Sequence, residues 1–158
     1  MSEGANGGAG ALPGPEHVRI LRNVGTWRVD CTWHFMGQAI EGEGRETVRA
    51  LGPWWTASDF EASLFGTPLQ GAAQLGFDPQ RGVAVGTWID GMNPVTPSFV
   101  GSNDPDGVIR LSGRAYDPIG GRWREVETEE SELEDGRRRF LLRADGELFM
   151  DYLYTREA

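Results

Sequence analysis

Gly25-Thr26-Trp27-Arg28-Val29-Asp30-Cys31-Thr32-Trp33-His34-Phe35 is the stretch that decides the fold. Trp27, Val29, Cys31, Trp33 and Phe35 alternate with Arg28, Asp30, Thr32 and His34. A period of two sustained this long belongs to a strand with one apolar and one polar face. Rings on the apolar face need a sheet that wraps around them, and the chain carries six tryptophans in 158 residues.

Upstream the period changes. Pro15 suits the first helical position and Gly25 lies just past the end. Between them Val18, Leu21 and Val24 recur every third residue as one apolar stripe. The spacing predicts a single short N-terminal helix acting as a plug or lid. Residues 1–14, MSEGANGGAGALPG, read as a disordered tail, leaving 15–158 for one domain.

Downstream, strands are predicted over 39–51, 54–65, 69–77, 82–91, 96–102, 107–116, 122–134, 137–144 and 147–156. Turn sequences separate several of them, among them Asp78-Pro79-Gln80-Arg81-Gly82, Pro118-Ile119-Gly120-Gly121, Asp135-Gly136 and Asp145-Gly146. Connections this short require antiparallel pairing, because a parallel return needs a crossover of about a dozen residues or more. A long meander removes its exposed edges by closing on itself, so the fold class expected is all-β: a single antiparallel closed barrel of about ten strands. Gly42, Gly44 and Gly52 read as sheet kinks.

The Asp-Gly pairs allow a register to be drawn. A two-residue loop at Asp135-Gly136 sets Glu132 opposite Arg139 and Ser131 opposite Phe140. One at Asp145-Gly146 sets Ala144 opposite Glu147, Leu142 opposite Phe149 and Phe140 opposite Asp151. The inner face then holds Trp123, Leu133, Phe140, Leu142, Phe149 and Leu153. The same register puts Glu125, Glu127, Glu129 and Asp151 on the apolar side. Either some of them lie at the barrel mouth, or a bulge flips the phase, or one is a polar anchor in a pocket.

Composition narrows the function. Hydrophobic residues at 39% and charged residues at 25% describe an ordinary soluble protein. A net charge of −9 without a basic stripe speaks against nucleic acid and against an anionic membrane surface, so neither nucleic acid nor membrane is expected as a partner. Cys31 is the only cysteine, which excludes an intrachain disulfide, and with two histidines no structural zinc or other metal is expected. The start lacks a basic and an apolar segment, and no apolar run approaches the roughly 18 residues a span needs, so the expected location is cytoplasmic. No Gly-x-Ser-x-Gly, P-loop, dinucleotide or EF-hand spacing occurs.

Candidate ligand-binding residues are Trp33, Trp54, Phe60, Trp88, Asp90, Phe99, Trp123, Phe140 and Phe149, apolar walls with a polar contact being what small-molecule sites use. Asp90 follows Trp88 at spacing two and shares its face. It either orients a ligand or moves a proton, or it caps the turn at Gly91-Met92-Asn93-Pro94. Glu127 and Asp151 are the other candidate acids. His34 falls on the polar face. Tyr152 and Tyr154, if they face outward, point to a homodimer contact.

Taken together, His17, Leu21, Val24-Gly25-Thr26-Trp27, Leu75-Gly76-Phe77-Asp78, Gly82, Thr87-Trp88-Ile89-Asp90, Met92, Tyr152 and Tyr154-Thr155-Arg156 resemble the DUF1579 family, grouped with lipocalin-like (calycin) barrels. The resemblance implies a closed lipocalin/fatty-acid-binding-like barrel with an internal cavity, and gives Trp27 a sealing role at the closed end. It implies no activity. Barrel haem proteins of the nitrobindin type have a similar architecture but need an axial histidine on a pocket-lining strand. No histidine follows His34, so no cofactor is expected.

Two functions fit these residues. One is binding of a hydrophobic or amphipathic small molecule inside the barrel. The other is a cofactor-independent enzyme of cyclase or isomerase type, with an interior carboxylate as acid or base. A barrel whose centre is packed solid is a third reading.

Overall fold

The alternation at 25–35 is realised as a strand. In a computed structural model, which describes residues 12–104 and 106–157, the elements are α1 (Pro15–Leu21), β1 (Gly25–Phe35), β2 (Gln38–Leu51), β3 (Trp55–Leu64), β4 (Thr67–Asp78), β5 (Val83–Asp90), β6 (Ser98–Asn103), β7 (Ile109–Asp117), β8 (Arg122–Glu132), β9 (Arg138–Ala144) and β10 (Glu147–Arg156). Each strand pairs antiparallel with the next, and β10 returns to pair with β1, which closes a ten-stranded barrel. Most of the expected tail, residues 1–11, lies outside the described residues.

Turn chemistry sets the ends of the barrel. Met36-Gly37, Phe65-Gly66 and Asp145-Gly146 are two-residue loops with positive φ at both positions, the type I′ geometry that matches strand twist. With the connections 91–97 and 118–121 they form the far rim. The other end carries α1 and the loops β2–β3, β4–β5, β6–β7 and β8–β9. Gly52, with φ 62, belongs to the β2–β3 loop and is not a kink within a strand.

Helix α1 closes the near end, on a different face from the one expected. His17 and Ile20 are buried, whereas Val18 is 51% exposed and Val24 is 37% exposed. Ile20 packs with Ala84 and Ile109. The His17 ring is tied at both nitrogens: Gly14 N–H donates to Nδ1 at 3.1 Å, and Nε2 donates to Phe77 O at 3.0 Å.

Two one-residue offsets correct the expected register. The β8–β9 loop holds three residues: Leu133 N–H donates to Arg137 O at 2.7 Å, and Gly136 takes φ 84. Ser131 therefore faces Arg139, and Glu130 faces Phe140. In β10 the pairing slips between Leu148 and Met150, so Phe149 sits in a bulge and Tyr152, not Asp151, faces Phe140. Beyond each offset the faces exchange.

Glycines make room for the rings. A Cβ on Gly71 would overlap the Trp88 indole, one on Gly42 would come 2.8 Å from Trp33, and one on Gly113 would come 2.8 Å from Phe99. Three clusters result. One gathers around Trp27, Trp33, Phe60 and Tyr152, one around Ile20 under the helix, and one around Phe99, Val126 and Ala144.

Candidate functional site

The two ends of the interior differ in kind. At the helix end the inward face of β9 buries Arg138, whose side chain is 6% exposed. Its guanidinium donates to Glu46 and Glu130, both at 2.9 Å, and lies 4.3 Å from the Trp27 ring centroid and 4.2 Å from that of Tyr154. Arg156 covers Trp27 at 4.2 Å as well and donates to Val24 O and Arg22 O, which locks the segment leading out of α1. Trp27 Nε1 donates to Asn23 O at 2.8 Å, and Asn23 Nδ2 donates to Glu130 at 2.6 Å. Burial pushes the Glu46 carboxyl above its usual range against the pull of Arg138. Burial alone would lower Arg138, but Glu130 and Glu46 hold it above its ordinary value. Two carboxylates share one guanidinium here, and the space beside Arg138 and Glu130 is about 10 Å³, the scale of one water. This end is a seal.

Toward the far rim the interior is aromatic. Phe60 stacks on Tyr152 at 5.7 Å with planes 3° apart, and Trp33, Trp88 and Phe140 contact that pair edge-on or tilted. Trp33 Nε1 donates to Tyr152 Oη at 2.7 Å. An indole donor uses a lone pair of that oxygen and leaves the phenolic hydrogen to donate elsewhere. Burial pushes the Tyr152 hydroxyl above its ordinary pKa, with smaller contributions from Cys31 and Asp90, and it stays a donor. Trp88 Nε1 donates to Asp90 Oδ2 at 2.7 Å, while Met92 N–H donates to Oδ1 at 2.8 Å. Trp88, Phe140, Leu142, Phe149 and Met150 belong to the interior clusters but are only half-buried. Cys31 lies beneath them, its thiol pushed up to about 12 by burial and by Asp30.

Of the expected ligand-binding residues, Trp33, Phe60, Trp88, Asp90, Phe99, Phe140 and Phe149 fall on this inward surface. Asp90 also caps the turn that follows it. Trp54 sits in the β2–β3 loop at the opposite end, 5.0 Å from the His17 ring. Trp123 faces outward, 47% exposed and flanked by Arg114 and Tyr116. Glu127 is exposed, and Asp151 holds Arg139 on the outer face at 2.7 Å. Glu125 and Glu129 also point outward, toward Arg114 and toward Arg110 and Arg143. Only Asp90 of the three candidate acids remains inside. Leu153, outside between Arg139 and Asp30 in register, exchanged places with Tyr152 and Tyr154, which are both 5% exposed. The outward tyrosines behind the dimer reading are thus interior.

Sequence reasoning missed Tyr152, Met150 and the group Arg138, Glu46 and Glu130. A signal existed for some: Met150, Tyr152 and Tyr154 share one parity, and Arg138 shares the parity of Phe140 and Leu142.

A second concavity, about 540 Å³, lies over the outer face of β2 to β4 between polar side chains such as Arg45, Asp59, Glu61 and Gln70. Among the described residues no three His, Cys, Asp or Glu stand together to hold a metal ion, and no helix is long and apolar enough to cross a membrane.

A family model described as "Protein of unknown function (DUF1579)" matches residues 12–156. A search of curated proteins found no match. Among solved structures, Rv2717c from M. tuberculosis superposes with TM-score 0.67 at 14% identity, covering 93% of this chain and all of that one, which supports the same barrel fold. A redesigned β-barrel, b11L5F_LGL, superposes with TM-score 0.47 at 11% identity over 90% of this chain and 96% of its own.

Proposed function

The chain belongs to the DUF1579 family of proteins of unknown function, and we propose that it is a lipocalin-like binding protein for a hydrophobic or amphipathic small molecule held inside the barrel toward the far rim. The observation that carries the reading is a difference along the barrel. At the helix end the inward side chains Trp27, Ile20 and Arg138 are sealed, whereas the inward Trp88, Phe140, Leu142, Phe149 and Met150 keep contact with solvent. Half-open apolar rings on a concave face release water when a ligand covers them, at about 25 cal/mol per Å².

The polar contacts define the ligand further. Tyr152 offers a neutral donor, and Asp90 disfavours an anion nearby. A ligand with an uncharged acceptor such as a carbonyl on a flat or aliphatic body suits both. The buried thiol of a single-cysteine chain suits a cytoplasmic setting, and that location is part of the proposal. The enzyme reading gains no support from Glu127 or Asp151, which face outward.

The test is titration with prodan, a naphthyl ketone whose emission shifts to the blue in an apolar site. The proposal expects saturable, blue-shifted emission that a Trp88→Arg substitution abolishes. Emission unchanged from buffer across the titration overturns it. Native mass spectrometry of protein from its own host then identifies any natural ligand.

A further inference from the structure

Four of the five connections at the far rim carry no charge: residues 36–40, 62–69, 91–97 and 118–121. The chain as a whole has 15 basic and 24 acidic residues in 158, so this gap is local to the rim. The fifth connection, Asp145-Gly146, is acidic, and Arg124 engages Asp145 at 3.0 Å. The four uncharged connections display Met36 at 86% exposure, Ile119 at 80%, Phe65 at 66% and Met92 at 46%.

Two of these side chains stand in strained backbone. Met36 and Phe65 both take φ 51, the first position of a type I′ turn, where Asn, Asp and Gly are favoured and bulky residues are rare. Asp145 takes the same place, with φ 50, in the third such turn. The fold therefore accepts the ordinary residue, and packing gives no reason for a methionine or phenylalanine left in water. An external contact does.

We propose that this rim docks on the surface of a zwitterionic lipid bilayer. The hairpins alternate around one closed ring, so their tips surround the barrel end and face the same side of the molecule. A net charge of −9 repels an anionic surface, whereas four of the five rim connections carry none of that charge, which complements a neutral one. Aromatic and aliphatic side chains enter the boundary between headgroups and acyl chains. The expectation of no membrane partner rested on net charge and on the lack of a spanning segment, and neither bears on a neutral surface touched by loop tips. Docked this way, the interior faces the bilayer and a lipid-soluble guest passes between the two without crossing water. That transfer role rests on the binding reading above, whereas the docking does not.

The experiment is flotation with vesicles of phosphatidylcholine, alone and with phosphatidylserine added, together with light scattering of the free protein. The protein should float with phosphatidylcholine, and less as phosphatidylserine increases. The double variant Met36→Asn, Phe65→Asn gives both turns the Asn-Gly pair their geometry prefers, so its Tm should rise by about 2–4 °C or more while flotation falls at least fivefold. A wild-type protein that stays with the unbound fraction, or a variant that floats equally well, overturns the docking. A dimer that becomes a monomer in the variant assigns the rim to self-association and overturns it too. Failure of prodan to bind, with flotation intact, removes only the transfer role.

Discussion

The indole of Trp88 lies across Gly71 on the neighbouring strand, with no room for even a methyl group beneath it. The same indole is held at its nitrogen by Asp90 at 2.7 Å. A residue without a side chain and a residue with the largest one form a single packed unit on the inward face.

Gly71→Ala forces that unit apart. The ring must swing away, breaking its bond to Asp90, at an overpacking cost of about 1–3 kcal/mol. Urea unfolding followed by tryptophan emission should show that loss together with altered native fluorescence. Unchanged stability would mean that the ring does not rest on the glycine.

The seal around Arg138 predicts a pH dependence. Burial raises the Glu46 carboxyl in the folded chain above its ordinary value of 4.5. A folded state that holds the proton more tightly than the unfolded state is favoured by acid. The Glu46 contribution is therefore complete below about pH 4.5 and declines as pH rises to the folded pKa. Glu46→Gln removes that decline, so the stability difference, variant minus wild type, should grow from pH 4 upward and then level off. A difference that is flat with pH contradicts the assignment.

Arg138→Leu acts on the same cluster with the opposite sign. Two carboxylates lose their one cation, and breaking a buried pair costs about 3–5 kcal/mol. Thermal unfolding at neutral pH should register the loss, and acid should restore part of it. A variant as stable as the wild type would show that the cluster is dispensable.

Tyr152→Phe tests the polar anchor. Losing one neutral hydrogen bond should weaken prodan binding about 2- to 10-fold. Binding of N-phenyl-1-naphthylamine, which has no carbonyl, should stay within about twofold by the same reasoning. An equal loss for both probes would make Tyr152 a packing residue only.

Trp123→Gln and Asp151→Asn test the corrected faces. Both side chains lie on the outer surface, so each should shift stability by about 1 kcal/mol or less, the scale of exposed contacts and surface ion pairs. Neither should alter prodan affinity. A loss of affinity in either would restore it to the interior.

The alternation at Gly25–Phe35 and the turn residues made the ten-stranded closure legible before any coordinates. Local pattern carries strand identity and turn position. Phase is different, because one extra loop residue at 134–136 and one bulged residue at Phe149 each reverse every side chain beyond them. Trp123, Leu133 and Leu153 supplied plausible apolar partners for the wrong face, so the alternation could not reject it. That Trp88 and Asp90 share a face followed from spacing two on one strand, but the bond between them did not. Glu130 meets Arg138 across the β8–β9 hairpin, but Glu46, 92 positions from Arg138, reaches it only through closure of the sheet, which no local pattern records.

The union of β1 with β10 also governs how the protein must be made. β1 is synthesised nine strands before its partner β10, so translation has to deliver residues 147–156 before the sheet becomes seamless. Until then two unpaired borders stay open to other nascent chains, which makes the unclosed sheet the stage at which aggregation competes with folding.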